Sequence, residues 1–197
     1  GRARGIVRGV WVLCEHLLSD RRFEVRSAAL QALSAASHSL RQHPTDLNPL
    51  AHTVWASLVR RLGDDDVRVR VQAVVVVTAL MEDATDFLSS RFLSTAWPPI
   101  LLPLSAPSAP STLSRAHRAA ALSLCLSLAT SVPPKAHVRD ALPICRAVGE
   151  ACCTLLARPQ ASPGEHDAAK DVLRRLAGHV AVPCVQDALW LCLARTV

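Results

Sequence analysis

Residues 11–33 read WVLCEHLLSDRRFEVRSAALQAL, and residues 55–77 read WASLVRRLGDDDVRVRVQAVVVV. A shift of 44 positions superposes Trp11 on Trp55, Leu18 on Leu62, Asp20 on Asp64, Val25 on Val69, Arg26 on Arg70, Ala29 on Ala73 and Leu33 on Val77. These matches fall where a helix, a tight turn and a second helix would place them, and a period of roughly 40 to 47 residues is the length of one stacked helix pair. The repeat decides how the second copy is read. Val67, Val69, Val71 and Val74 to Val77 are β-branched and, taken alone, would suggest a buried strand. Their register against the first copy makes them helix.

The same periodicity extends outward. Val25, Ala28, Ala29, Ala32, Leu33, Ala36 and Leu40 recur at three- and four-residue steps, as do Leu50, Val54, Leu58 and Leu62, and Ala116, Ala120, Leu124 and Leu128. Val172 and Leu176 continue the pattern and Val185, Leu189 and Leu193 close it. Breakers fall between the blocks at His43-Pro44, Gly63 to Asp66, Pro98-Pro99, Pro103 to Pro110, Pro133-Pro134, Pro159 to Gly164 and Pro183. The prediction is an all-α chain of eight or nine helices with essentially no sheet. It comprises helix-pair repeats over 1–104, a Pro/Ser-rich loop over 105–112, and degenerate repeats over 113–197. The segment Pro98 to Ser111 is expected to lack regular helix, Pro143 to kink its helix or restart it near Ala141, and the Arg-Gly stretch Gly1 to Gly9 to be a loop before the first complete helix.

Composition narrows the function classes. The chain of 197 residues is half hydrophobic, 19% charged and lacks Tyr, so it is neither disordered nor a small disulfide scaffold. The net charge is +6, and every basic residue except Lys135 and Lys170 is Arg, which favours bidentate pairing with a carboxylate or phosphate. Seven cysteines, an odd number set in apolar helical runs, read as buried thiols of a reducing compartment, so a cytoplasmic and also nuclear location is expected. The apolar run Val71 to Met81 is broken by Gln72 and Thr78 and ends at Glu82, too short for a membrane span. The chain begins with Gly1 and reads as a segment of a longer protein.

Catalytic signatures are absent from the sequence: it has no Gly-rich phosphate loop, no Gly-x-Ser-x-Gly, no His-Glu-x-x-His and no Cys-x-x-Cys. No enzymatic activity, cofactor or metal is expected. Cys145, Cys152 and Cys153 read as core thiols, as do Cys184 and Cys192. Glu165, His166 and Asp167 read as the polar first turn of a helix after Gly164. Asp64 to Asp66, followed by Arg68 and Arg70, lacks the Gly and terminal Glu of a calcium loop and reads as a helix cap with an ion-pair ladder. Arg60-Arg61 and Arg174-Arg175 read as solvated helix positions. Nucleic acid is the lesser reading of the positive charge, because Trp11, Trp55, Trp97 and Trp190 fall in apolar helical contexts and no arginine stripe is visible.

The pattern Leu, Asp, Val-Arg, Ala, Leu, present twice, resembles the HEAT family, an α-solenoid of stacked antiparallel helix pairs. There the matching Asp and Arg, here Asp20 with Arg26 and Asp64 with Arg70, form a ladder between neighbouring units. Within that class, Leu47-Asn48-Pro49-Leu50-Ala51-His52, Trp55, Ser57-Leu58-Val59, Arg61-Leu62, Asp86-Phe87-Leu88, Arg91-Phe92 and the Pro-rich turn after it resemble the C-terminal part of the larger solenoid subunits of the TTT co-chaperone complex. The resemblance implies a non-catalytic scaffold. Its partners would be the other TTT subunits, the phosphatidylinositol-kinase-related kinases (PIKK family) and a heat-shock chaperone adaptor. Arg60, Arg61, Arg91 and Arg118 are the candidate partner-binding residues, at the rim of helix-on-helix contacts. HEAT proteins also serve nuclear transport, nucleic-acid binding and phosphatase scaffolding, and fold alone does not separate these roles.

Overall fold

A computed structural model describes residues 2–105, 112–131 and 138–178. Most of the Pro/Ser-rich loop, Pro133-Pro134, the closing stripe Val185 to Leu193, Cys184, Cys192 and Trp190 lie outside the described residues. Among the described residues all regular structure is helical. The chain divides into two compact units, 1–88 and 89–197.

In the first unit, α1 (Arg2–Leu17) packs on α2 (Phe23–Leu40) as one hairpin, and α3 (Pro44–Leu62) and α4 (Val67–Arg91, its last residues past the unit's end at Leu88) follow across a short turn as the next. The 44-residue period is visible in the backbone. Phe23 opens α2 and Val67 opens α4, while Leu40 closes α2 and its counterpart Ala84 leaves helical geometry at φ −139°, ψ 32°. Both tryptophans of the repeat are buried, as are Leu18 with Leu62, Ala29 with Ala73 and Leu33 with Val77. The valine run is helical because its burial outweighs its propensity. A β-branched residue costs a helix about 0.5 kcal/mol, whereas burying a Val side chain returns about 1.5 kcal/mol or more, and Val69, Val74, Val76 and Val77 are fully buried.

Helix α1 begins at Arg2, so the Arg-Gly stretch is helix and not the expected loop. Gly5 and Gly9 each cost about 1 kcal/mol relative to Ala. Trp11, Cys14 and Leu18, all buried, and an ion pair from Arg8 to Asp46 of α3 anchor the helix against that cost.

The second unit contains a π-helical turn (Phe92–Ala96), α5 (Trp97–Ser105), α6 (Thr112–Ser131), α7 (Val138–Leu156) and α8 (Pro163–Gly178). Helix α8 packs on both α6 and α7, and α5 touches both of those helices. Phe92 meets Trp97 with ring centroids 5.7 Å apart, and Leu104, Leu124, Leu128, Val148, Leu155 and Val172 fill the core.

One expectation about proline is corrected here, and the restart half of another. The Pro98 to Ser111 segment is helical through Ser105: the chain passes from the π-helical turn straight into α5 through Pro98 and Pro99, and the burial of Trp97, Ile100 and Leu104 holds it against the two backbone donors that the prolines lack. Helix α7 runs through Pro143 without restarting. The lost bond lies near its N-terminal end, and the burial of Ile144, Cys145 and Val148 just beyond it holds the helix.

Candidate protein-interaction surface

Asp64 accepts four hydrogen bonds on its side chain. It sits in the turn between α3 and α4 with its side chain 1% exposed, and it receives the guanidinium of Arg26 from α2 side-on. Nε of Arg26 donates to Oδ2 at 2.9 Å and Nη2 donates to Oδ1 at 2.7 Å. Nη1 of Arg61 donates to Oδ2 at 2.8 Å, and the amide of Asp66 donates to Oδ1 at 3.0 Å. Burial pushes the Asp64 carboxyl up, but the bonds from Arg26 and the Asp66 amide, with both arginine charges, hold it below the ordinary carboxylate value. The bond to Asp64 in turn raises Arg26 above its usual value. The pair fastens the first hairpin to the second.

The structure places the ladder residues in two roles. Nη1 of Arg26 donates to the carbonyls of Asp20 and Arg21, both at 2.9 Å, and Nη1 of Arg70 donates to those of Asp64 and Asp65 at 2.5 and 3.2 Å. Each arginine therefore closes the turn of its own hairpin, and Arg26 also reaches the carboxylate of the next. Asp20 accepts from the Arg22 amide at 2.8 Å, as Asp64 does from Asp66. Neither aspartate is the helix cap that its position suggested. The residue before α4 is Asp66, which accepts from the Arg68 amide and pairs with the Arg68 side chain at 2.7 Å, a bond that brings its pKa to about 2. Arg22 stands before α2 in extended backbone with no side-chain cap. Phe23 lies under the Arg68 guanidinium, 3.7 Å from its ring centroid, a second latch between the hairpins.

The four candidate arginines separate. Arg60 is exposed and bonds within its own helix, to Ser57 at 3.0 Å. Arg61 is drawn onto Asp64 instead of standing in solvent. Arg91 is half-buried. Arg118 is not at a rim: its side chain is 8% exposed, and its Nε lies 2.7 Å from Oε1 of Glu165. Burial raises the Glu165 carboxyl, while the amide and hydroxyl of Ser162 and the Arg118 charge bring it below its ordinary value. Ser162 and Glu165 form a reciprocal cap: the Ser162 amide reaches Oε2 at 2.8 Å and the Glu165 amide reaches the Ser162 hydroxyl at 3.3 Å. The Ser-Pro-Gly-Glu spelling was the signal in the sequence for that cap. Nothing in the spacing pointed to Arg118, which comes from another helix.

Exposed apolar surface concentrates on α1, where Ile6, Val10 and Leu13 form a stripe at four- and three-residue steps and are 63%, 38% and 58% exposed. The repeat supplies the comparison. Val54, the counterpart of Val10 in α3, is fully buried, and α1 covers that helix through Trp11, whose Nε1 donates to the Leu50 carbonyl at 3.0 Å. The α1 stripe is the equivalent face without a cover among the described residues. Among the described residues, Cys14, Cys125, Cys145, Cys152 and Cys153 are buried free thiols. No group of His, Cys, Asp or Glu among them is arranged to hold a metal ion, and no helix is long and apolar enough to cross a membrane.

Comparison with known proteins gives three findings. TELO2-interacting protein 1 homologs are similar over 93 residues, 47% of this chain, with 37% identity for the mouse protein and 38% for the human one. That stretch is 9% and 8% of those proteins, so the chain matches less than a tenth of their length. No solved structure matches. The family model described as the TTI1 C-terminal TPR domain matches residues 3–132, more than half of the chain. The helix pair here recurs at 44 residues, the HEAT-type length and longer than the roughly 34 of a tetratricopeptide unit. The fold is all-α and solenoid-like, and the chain belongs to the TTI1 C-terminal TPR domain family.

Proposed function

We propose that this chain is a non-catalytic scaffold segment of a TTT-type co-chaperone subunit. It binds partner helical-repeat subunits and supports the maturation and stability of phosphatidylinositol-kinase-related kinases, together with a heat-shock chaperone adaptor, in the cytoplasm and also the nucleus. The family supports the reading, and the name of the relatives designates TELO2 as a partner of those proteins. The observation that carries it is the α1 stripe of Ile6, Val10 and Leu13. A contiguous apolar helix face on a repeat unit is a surface for packing another helix. Arginines tied up within the fold support it too: Arg26, Arg61 and Arg118 each pair with a carboxylate of the chain, leaving fewer cations for a polyanion.

The test is affinity purification of the full parent protein from cells at moderate salt, with identification of the bound proteins by mass spectrometry. Recovery of helical-repeat subunits with a very large kinase is expected. Nucleic acid, transport factors or a phosphatase catalytic subunit in their place would overturn the proposal.

A further inference from the structure

Between α6 and α8 the second unit contains a groove of about 410 Å³. Arg115, Ala119, Leu122 and Leu126 line it from α6, at steps of four, three and four residues, and Glu165 and Ala168 line it from α8. The α6 stripe from Arg115 to Leu126 is about 16 Å long at 1.5 Å per residue, roughly three helical turns. The floor is apolar: Leu126 is 36% exposed and Ala119 is exposed. The volume suits two large side chains and not a whole helix.

The charges at the groove are unequal. Glu165 is its acidic residue, and that carboxylate is held by the buried Arg118 and by Ser162. Arg115 is exposed at one end and makes no ion pair among the described residues. The groove therefore combines an apolar floor, a neutralised acid and an uncompensated cation. We infer that it docks an acidic, leucine-bearing helical segment of a partner protein. Two apolar side chains a turn apart enter between α6 and α8, and a carboxylate of the same segment meets the Arg115 guanidinium. This is helix-face recognition with a charge that fixes orientation. A basic segment would place like charge against Arg115, and a purely polar one would leave Leu126 and Ala119 wet.

The test uses the full parent protein and three fluorescein-labelled helical peptides, read by anisotropy. The first carries two leucines four residues apart among glutamates, the second has lysines for the glutamates, and the third has serines for the leucines. Only the first is expected to bind, more weakly as salt rises. Arg115→Glu should weaken it by about tenfold or more, and Leu126→Gln several-fold. Arg175→Glu, the same charge change at an exposed α8 position outside the groove, should leave it unchanged. All three positions are exposed, and unchanged melting curves establish that the variants fold. Equal binding of the lysine or serine peptide, or equal loss with Arg175→Glu and Arg115→Glu, would overturn the inference. So would a single-stranded DNA oligomer competing as well as the first peptide, since that would reduce the site to arginine charge alone. These outcomes are independent of which proteins the parent chain recovers from cells.

Discussion

The joint between the two hairpins of the first unit should fail first when Asp64 loses its charge partners. Truncating one member of a buried, hydrogen-bonded ion pair costs about 3–5 kcal/mol, because the other charge stays in a dry site. Arg26→Ala leaves Asp64 two of its four donors, Nη1 of Arg61 and the Asp66 amide, so its cost falls at the lower end, about 3 kcal/mol. Asp64→Ala removes the acceptor of all four at once, and its cost is about 4 kcal/mol. Arg61→Ala removes one bond from a side chain that is 21% exposed, and costs about 1 kcal/mol. Because Arg26 and Asp64 share two bonds, the double variant should recover about 2 kcal/mol of coupling. Denaturant unfolding measures the cycle, and hydrogen exchange localises it, with protection falling in α2 and α4 but not in α6 to α8. The acid limb supplies a further check. The folded pKa of Asp64 lies below its unfolded value, so its contribution is fully present above about pH 4 and is lost as pH falls through the depressed folded value. Asp64→Asn should therefore flatten the loss of stability below about pH 4. Coupling under about 0.5 kcal/mol, or a cost for Arg61→Ala equal to that for Arg26→Ala, would refute the assignment of Asp64 as the hub.

Three further outcomes follow from the same geometry. Trp11→Phe keeps an aromatic ring in the core but removes the donor to the Leu50 carbonyl, and should cost about 1–2 kcal/mol in the first unit by thermal unfolding, leaving the second unit's exchange pattern unchanged. Arg118→Ala strands Glu165 and should destabilise the second unit by about 3 kcal/mol, measured by the loss of exchange protection in α6 and α8. Cys14 and Cys125 should resist a thiol reagent in the native protein and react only on unfolding, since burial raises the Cys14 thiol and contact with Cys152 together with full burial raises that of Cys125. Labelling of either at the rate of an exposed thiol would contradict their placement in the core.

Much of the fold was legible because the repeat carries its own control. One valine-rich segment is ambiguous between strand and helix by propensity, but its counterpart at a 44-residue shift is Ala- and Ser-rich and reads only as helix. The proline segments were not legible in the same way. Pro98 and Pro99 look like a helix end, but the chain runs from the π-helical turn straight through them into α5, and what holds it there is the tertiary burial of Trp97, Ile100 and Leu104. The interaction surface was the least legible. Arg60, Arg61, Arg91 and Arg118 look alike in sequence, but the availability of each depends on the nearest carboxylate: Asp64 lies three residues from Arg61 in the chain, whereas Glu165 comes from the first turn of α8 and only the tertiary fold brings it to Arg118. The α1 stripe could be read from Ile6, Val10 and Leu13 as amphipathic helix, but that it stays uncovered required the comparison with Val54.

That comparison bears on why the two copies of one motif behave differently. Arg26 and Arg70 make equivalent bonds to the carbonyls of their own turns, so the shared part of the motif is local: it holds the angle between the helices of a hairpin. The part that joins hairpins belongs to the other face of the guanidinium, and among the described residues only Arg26 has a carboxylate there. Asp20 and Asp64 differ correspondingly. The side chain of Asp64 is 1% exposed beneath Arg26, whereas that of Asp20 is 32% exposed and is approached at 3.8 Å by the solvent-exposed Arg22. One sequence motif thus supplies two separable functions, hairpin geometry within a unit and adhesion between units. The first is complete in each copy. The second depends on what lies against the copy, and so the half-buried carboxylate of Asp20, which no neighbouring hairpin's arginine reaches among the described residues, and the uncovered stripe of α1 belong to one description of the same hairpin.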